Sequence, residues 1–185
     1  MPVNASNDNL GWLAPTFKLK DVSNDIMTLE QLKGNNGTVI AFICNHCPYV
    51  ISIAERLSFE AIELKKFSIN TIAIMSNDVT QYPQDSFENM KIFSKKYNFK
   101  FSYLYDETQK VAKSYGAVCT PDIFGFDGSL KLMYRGRIDS GVMNSNNSQI
   151  ERELYKAMLK IKNDGIGPAE QMNSFGCSIK WKNNE

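Results

Sequence analysis

Residues 38–75 constrain the fold more than any other part of the chain. Thr38-Val39-Ile40-Ala41-Phe42-Ile43 is a short apolar run rich in β-branched residues, the pattern of a buried strand. Val50, Ile53, Ala54, Leu57, Ala61 and Leu64 then recur at helical spacing, which predicts a helix from about residue 47 to residue 66. Asn70-Thr71-Ile72-Ala73-Ile74-Met75 is a second continuous apolar run, as expected of a strand covered on both faces. Strand, helix and strand in that order predict a parallel pair joined by a right-handed crossover.

The turn between the first strand and the helix, Cys44-Asn45-His46-Cys47-Pro48, concentrates the reactive residues. Cys47 is expected in the first helical turn, with Pro48 where a missing N–H costs no intrahelical bond. Free N–H groups and the positive end of the helix dipole favour an anion there. A thiolate is such an anion, so Cys47 is expected to be acidic and reactive. The plain alternative is that both cysteines are small buried hydrophobes. His46, the only histidine, either steadies the thiolate and relays protons or is an ordinary surface residue. Cys44, His46 and Cys47 together also suit a soft metal, copper or zinc. Spacing so tight does not by itself complete a tetrahedral zinc site.

Around this unit the chain reads as further strands and helices. Residues 1–13 read as an arm, Ala14–Lys20 and Ile26–Thr28 as short strands, and Leu29–Gly34 as a helical turn. Ser76–Pro83 is a polar loop, after which Asp85 is expected to cap a helix, with Glu88 completing the box. Phe101–Tyr105 reads as a strand, and Thr108–Tyr115 as a helix stopped by Gly116. Ile123–Phe126 and Leu130–Tyr134 flank Asp127-Gly128, a hairpin signal. A last helix is expected from Ser148, burying Ile150, Leu154, Ala157, Met158 and Ile161 and ending at Gly165. Residues 163–185 read as a surface tail. With no repeat and no linker, the chain is one domain, 14–162, between an arm and a tail. A mixed sheet with helices on both faces is a three-layer α/β/α sandwich.

This pattern resembles the thioredoxin fold, in the alkyl hydroperoxide reductase/thiol-specific antioxidant (AhpC/TSA) branch and its peroxiredoxin-like members, over about residues 10–162. Three places carry the resemblance: the cysteine of the strand–helix turn, Cys119-Thr120-Pro121-Asp122 entering the hairpin, and the start Ala14-Pro15-Thr16-Phe17. By resemblance, Pro121 is a cis-proline facing Cys47 and Thr120 offers its backbone to a substrate. Arg135-Gly136-Arg137 ends the hairpin strand, where Arg137 either brings a guanidinium toward the site as a substrate contact or is a solvated strand end. The same resemblance implies a thiol oxidoreductase that reduces peroxides or disulfides through Cys47 and needs no organic cofactor. Cys119 or Cys44 would answer Cys47, Cys119 being the expected disulfide partner. A thioredoxin or a small thiol would be the reductant. Two departures leave peroxide and disulfide both open as substrate. Val50 stands where a second thioredoxin cysteine would be. Cys44 and Ile40 stand where peroxiredoxins carry threonine and proline. The metal-binding chaperone using Cys44, His46 and Cys47 is the competing function. Cys177, in Phe175-Gly176-Cys177-Ser178-Ile179, is either another resolving thiol or part of an apolar segment covering a sheet edge or a partner subunit, which leaves room for a homodimer.

Charge is balanced, 21 basic against 20 acidic residues for a net +1, so nothing draws the chain to nucleic acid or to an anionic membrane. No apolar run approaches the roughly 20 residues of a membrane span. Met1–Asn9 lacks the basic start and apolar core of a secretory signal. With four cysteines and no such signal, a reducing compartment, the cytoplasm, is expected.

Overall fold

The computed structural model describes residues 2–5, 10–141, 143 and 150–183. At its centre lie the two apolar runs, as strands β4 (Gly37–Phe42) and β5 (Ile69–Met75), joined by helix α2 (Pro48–Lys65). They pair in parallel from Gly37↔Ile69 to Phe42↔Ile74. The remaining strands are β1 (Pro2–Asn4), β2 (Lys18–Asp21), β3 (Ile26–Thr28), β6 (Ser102–Tyr105), β7 (Cys119–Thr120), β8 (Asp122–Phe126), β9 (Leu132–Gly136) and β10 (Phe175–Ser178). The main sheet has seven strands in the order β3-β2-β6-β5-β4-β8-β9, and β1-β10-β7 form a second, three-stranded sheet. Helices α1 (Leu29–Leu32), α3 (Phe87–Lys96), α4 (Lys110–Tyr115) and α5 (Glu153–Asp164) complete the chain. This is the expected mixed α/β/α sandwich.

Strand pleating sorts the core into two halves, because successive side chains point to opposite faces. On one face Val39, Ala41, Ala73, Met75 and Tyr103 pack against Val50, Ile53, Leu57 and Leu64 of α2, Met90 and Phe93 of α3, and Leu154, Met158 and Ile161 of α5. On the other, Ile40, Phe42, Ile72, Ile74, Leu104, Phe124 and Phe126 pack against Leu29 and against Val111, Ala112 and Tyr115. All six positions of the α2 periodicity are buried. Each valine, isoleucine or leucine among them contributes about 1.5–3 kcal/mol by leaving water, so the helix is fixed against the sheet and its N-terminus is aimed at the end of β4.

Three charge clusters hold α2 and α5 in place. Arg56 on α2 donates to both carboxylate oxygens of Asp139 at 2.7 and 3.3 Å and to the Gly141 carbonyl at 3.1 Å. Arg152 and Glu60 form a two-point pair at 2.7 and 2.7 Å. Arg137 and Glu153 do the same at 2.6 and 2.7 Å.

The ends of the chain differ from their sequence reading. Within the arm, Pro2–Asn4 form β1, and Trp12 meets Tyr115, Phe124 and Phe126 edge-on at 5.6–6.2 Å. The segment read as a tail contains β10, which inserts between β1 and β7. Helix α5 starts at Glu153, later than expected. Glu151 instead trades hydrogen bonds with Ser140, its N–H to Oγ at 2.8 Å and its carbonyl from the Ser140 N–H at 3.1 Å, which takes it out of a helical turn. Ser148 lies outside the described residues. Gly165 closes α5 in the left-handed region, φ 71°, the conformation for which glycine is preferred.

Phe124 is fully buried, with Trp12, Phe42 and Tyr115 around it and the Arg135 guanidinium 4.5 Å from its ring centre. Phe124→Ala is expected to cost about 3–5 kcal/mol, read as a lower urea midpoint at unchanged slope.

Candidate active site

The ladder of β4 extends one residue past the strand, with the Ile43 N–H on the Ile74 carbonyl at 2.9 Å. Cys44, Asn45 and His46 then cross to Cys47, which caps α2 ahead of Pro48. Asp85, fully buried, organises this crossing. Its Oδ1 accepts the N–H groups of Asn45 at 2.8 Å and His46 at 3.3 Å. Its Oδ2 accepts the Asn77 amide at 2.8 Å and meets the His46 Nδ1 at 2.7 Å. Since a carboxylate only accepts, the His46 Nδ1 carries the hydrogen. Asn45 is held further by the Tyr103 hydroxyl, donating to its Oδ1 at 3.0 Å, and by the Gln84 carbonyl at 3.1 Å. The His46 ring stacks on Tyr82, 5.5 Å apart and 9° from parallel.

Cys47 has no exposed surface, yet its sulfur sits among donors. Support for a negative charge on it comes chiefly from the Cys44 thiol, and more weakly from the Val50 and Cys177 N–H groups and the Cys177 thiol nearby. The Cys44 bond is the largest influence and outweighs desolvation, so the Cys47 pKa falls to about 5. One contact opposes this. The Thr120 carbonyl lies 3.1 Å from the same sulfur and accepts from the neutral thiol. That acceptor opposes the shift without reversing it. Cys44 is pushed well above its usual value, first by giving its hydrogen to Cys47 and then by burial. The pair therefore keeps one proton, on Cys44, because a site this dry resists two adjacent charges. Cys177 is raised to about 11, by burial first and then by its bond to Cys47.

Sheet parity divides the remaining cysteines. Thr120 pairs with Cys177 and Cys119 with Ser178 across β7 and β10. Directly opposed residues share a face and successive ones alternate. The Thr120 hydroxyl is 3.3 Å from the Cys44 sulfur, so Thr120 and Cys177 face the Cys47 turn while Cys119 faces away. Cys119, the expected partner of Cys47, points its sulfur at the Pro121 carbonyl 3.5 Å away, and burial raises its pKa. The Thr120–Pro121 peptide is cis. Arg137 is turned to Glu153 and lines, with Pro121, Tyr49 and Phe175, a pocket of about 260 Å³ beside the cysteine turn. Arg135 is held by Asp122 at 2.9 Å and the Gly116 carbonyl at 2.8 Å.

Among the described residues, those whose donor atoms converge as a metal site would need are Cys44, His46 and Asp85, within 4.8 Å of one another. Cys47 is not among them. Asp85 already receives four N–H groups, so ligation would dismantle the turn it holds.

Sequence reasoning assigned Asp85 to a helix cap. Ser86 is the cap instead, accepting from the Asn89 N–H at 3.4 Å, and Asp85 ends a 3₁₀ turn, Pro83–Asp85, that swings its carboxylate inward. No local pattern marks that role, nor that of Asn77. The position of Cys177 was more accessible, since alternation in Phe175–Ile179 is itself a strand signal.

Fold and site together define a thioredoxin-fold protein with an activated cysteine at the start of its central helix. Residues 10–136 match the AhpC/TSA family, and the chain belongs to it. It is 29% identical over 119 residues to peroxiredoxin Q of Populus jackii, covering 63% of this chain and 50% of the relative. The chain thus spans about half the length of the curated relatives it matches. An uncharacterised conserved protein from Geobacillus kaustophilus has a solved structure that superimposes at TM-score 0.93, with 41% identity over 100% of this chain and 98% of that one. The thioredoxin domain of a Bacteroides vulgatus thiol-disulfide oxidoreductase shares the fold at TM-score 0.65, with 16% identity over 84% of this chain and 99% of that one.

Alkylation by iodoacetamide should report the Cys47 thiolate with a midpoint near pH 5. Removing one hydrogen bond to a charged sulfur costs about 1.5–3 kcal/mol, so Cys44→Ala should raise that midpoint by about one to two pH units. Cys44→Ser, which keeps a donor, should restore most of it. The sign carries over to stability. Between about 5 and 9 the unfolded chain holds the proton that native Cys47 has lost, so this group's stabilisation is fully present above 9 and is lost as pH falls through 5. Denaturant midpoints measured across that range should fall less steeply with acid in Cys47→Ser.

Proposed function

We propose that this protein is a cysteine-dependent oxidoreductase that reduces a peroxide or a disulfide bond through Cys47. The observation that carries the reading is the Cys47 sulfur at the N-terminus of α2, where the neighbouring Cys44 thiol helps hold its pKa down to about 5. A sulfur so placed is a nucleophile at neutral pH without a separate base. Membership of the AhpC/TSA family and the similarity to peroxiredoxin Q support it.

In the first step the thiolate attacks one atom of the O–O or S–S bond. A sulfur–oxygen or sulfur–sulfur bond forms, the old bond breaks, and the leaving oxyanion or thiolate takes a proton. A second thiol then displaces the group on Cys47, closing a disulfide, and an external dithiol or two small thiols return two electrons. Asp85 and His46 act as positioning residues, fixing the turn that aims Cys47. Thr120 supplies a hydroxyl beside Cys44, the place where peroxiredoxins carry their own threonine hydroxyl. Soft-metal binding is the weaker reading, since its carboxylate is committed and Cys47 lies outside the converging set.

Cys47→Ser is expected to abolish both hydrogen peroxide consumption and exchange with a small disulfide, measured with dithiothreitol as reductant. Undiminished turnover in that variant removes Cys47 as the nucleophile.

A further inference from the structure

Beside the reactive turn, β7 offers a strand edge. An unpaired edge next to a nucleophile is where an extended peptide would dock, through its main-chain hydrogen bonds. In this chain β10 already occupies it. Gly176 lies against the peptide that joins Thr120 to Pro121. A Cβ built there would fall 2.1 Å from the Thr120 carbonyl oxygen, 2.6 Å from its carbon and 3.0 Å from the Pro121 nitrogen. Only glycine lets the two backbones come so close. The next residue, Cys177, is directly opposite Thr120 on the face that looks at Cys47.

The strand is stapled on both sides. Before it, Ser174 donates to the Gly136 carbonyl at 2.7 Å and accepts the Ile123 N–H at 3.3 Å. After it, the Ile179 N–H reaches the Val118 carbonyl at 3.1 Å, and the Lys180 N–H reaches the Asn77 side chain at 2.9 Å. The Lys180 carbonyl accepts from the Asp78 N–H and the Gln109 amide, each at 2.8 Å. On the outside β1 pairs with it, Pro2 opposite Cys177. Phe175 closes on Tyr49 edge-on at 5.1 Å. Displacing β10 would break all of these, so the groove is closed by construction.

We propose that β10 stands in for a substrate strand: it bars extended peptides from Cys47, restricts the oxidant to small hydroperoxides, and supplies Cys177 as the thiol that pairs with oxidised Cys47. The proposal rests on Cys47 being the nucleophile and narrows what it takes. A disulfide substrate has to bring a sulfur up against Cys47, on the side where Cys177 already lies. A hydroperoxide has to bring only two oxygens to the sulfur. Its O–O bond breaks as the Cys47 S–O bond forms, and the leaving alkoxide or hydroxide takes a proton. The Cys177 sulfur then attacks the sulfenic sulfur of Cys47. An S–S bond forms, the S–O bond breaks, and the oxygen leaves as water with the Cys177 proton. An external dithiol, the co-reductant, reopens the bridge.

The test is to treat reduced full-length protein with one equivalent of hydrogen peroxide, block free thiols and map the peptides by mass spectrometry. Wild type and Cys119→Ser should both give a Cys47–Cys177 link. Cys177→Ser should lose it and stop at a Cys47 sulfenic acid trapped by dimedone. Offered insulin instead of peroxide, the reduced wild type should leave its disulfides intact. A Cys47–Cys44 or Cys47–Cys119 link, or insulin reduced as readily as peroxide, overturns the proposal while leaving Cys47 as nucleophile. Cys47 still unoxidised after treatment would overturn that underlying reading as well.

Discussion

The Asp85 carboxylate is the contact on which the site depends. A buried carboxylate costs several kcal/mol of lost hydration unless hydrogen bonds replace water. Here four N–H groups do so: two main-chain amides of the cysteine turn, the His46 ring and the Asn77 side chain. Each donor belongs to something that has to be placed. The two amides set the path from Cys44 to Cys47. Asn77 in turn accepts the Lys180 N–H, so the same carboxylate reaches the segment that follows β10. One side chain thus couples the reactive turn to the strand that covers it.

Within that frame the two cysteines of the turn divide the work by position. Cys47 stands at a helix start, where unpaired N–H groups already favour negative charge. Cys44 lies deeper, between the end of β4 and Thr120, and has a hydrogen to give. One proton shared between two sulfurs settles on the one that the helix does not serve. The Thr120 carbonyl, close to Cys47 on its other side, opposes the charge without reversing it. That balance makes Cys47 both buried and acidic, a combination that burial alone would forbid.

Much of this was legible in the sequence and some was not. The βαβ unit, its parallel pairing and the buried face of α2 follow from apolar spacing, because period and burial are coupled wherever a helix lies on a sheet. The hairpin followed from Asp127-Gly128 and the helix stop from Gly165, each a local rule. Asp85 was misread for a physical reason: a carboxylate before a helix caps it in most settings, and only the 3₁₀ turn at Pro83 diverts it. The side that Cys119 faces was not legible, because sequence distance says nothing about strand parity, and one residue decides which face a side chain takes. Residues 163–185 looked like a tail because Gly and Pro break their pattern, while the partners of β10 lie far away in sequence, at Thr120 and Pro2.

The central claim is that, in the native protein, Cys47 carries the charge while Cys44 and Cys177 keep their protons. Following the ¹³Cβ shift of each cysteine in selectively labelled protein across pH tests it most directly, because every thiol is seen separately. The account predicts a step for Cys47 near pH 5 and one for Cys177 near 11, with Cys44 still protonated well into the alkaline range. Cys44 titrating before Cys47, or Cys47 titrating near the free-thiol value of about 8.5, would contradict it.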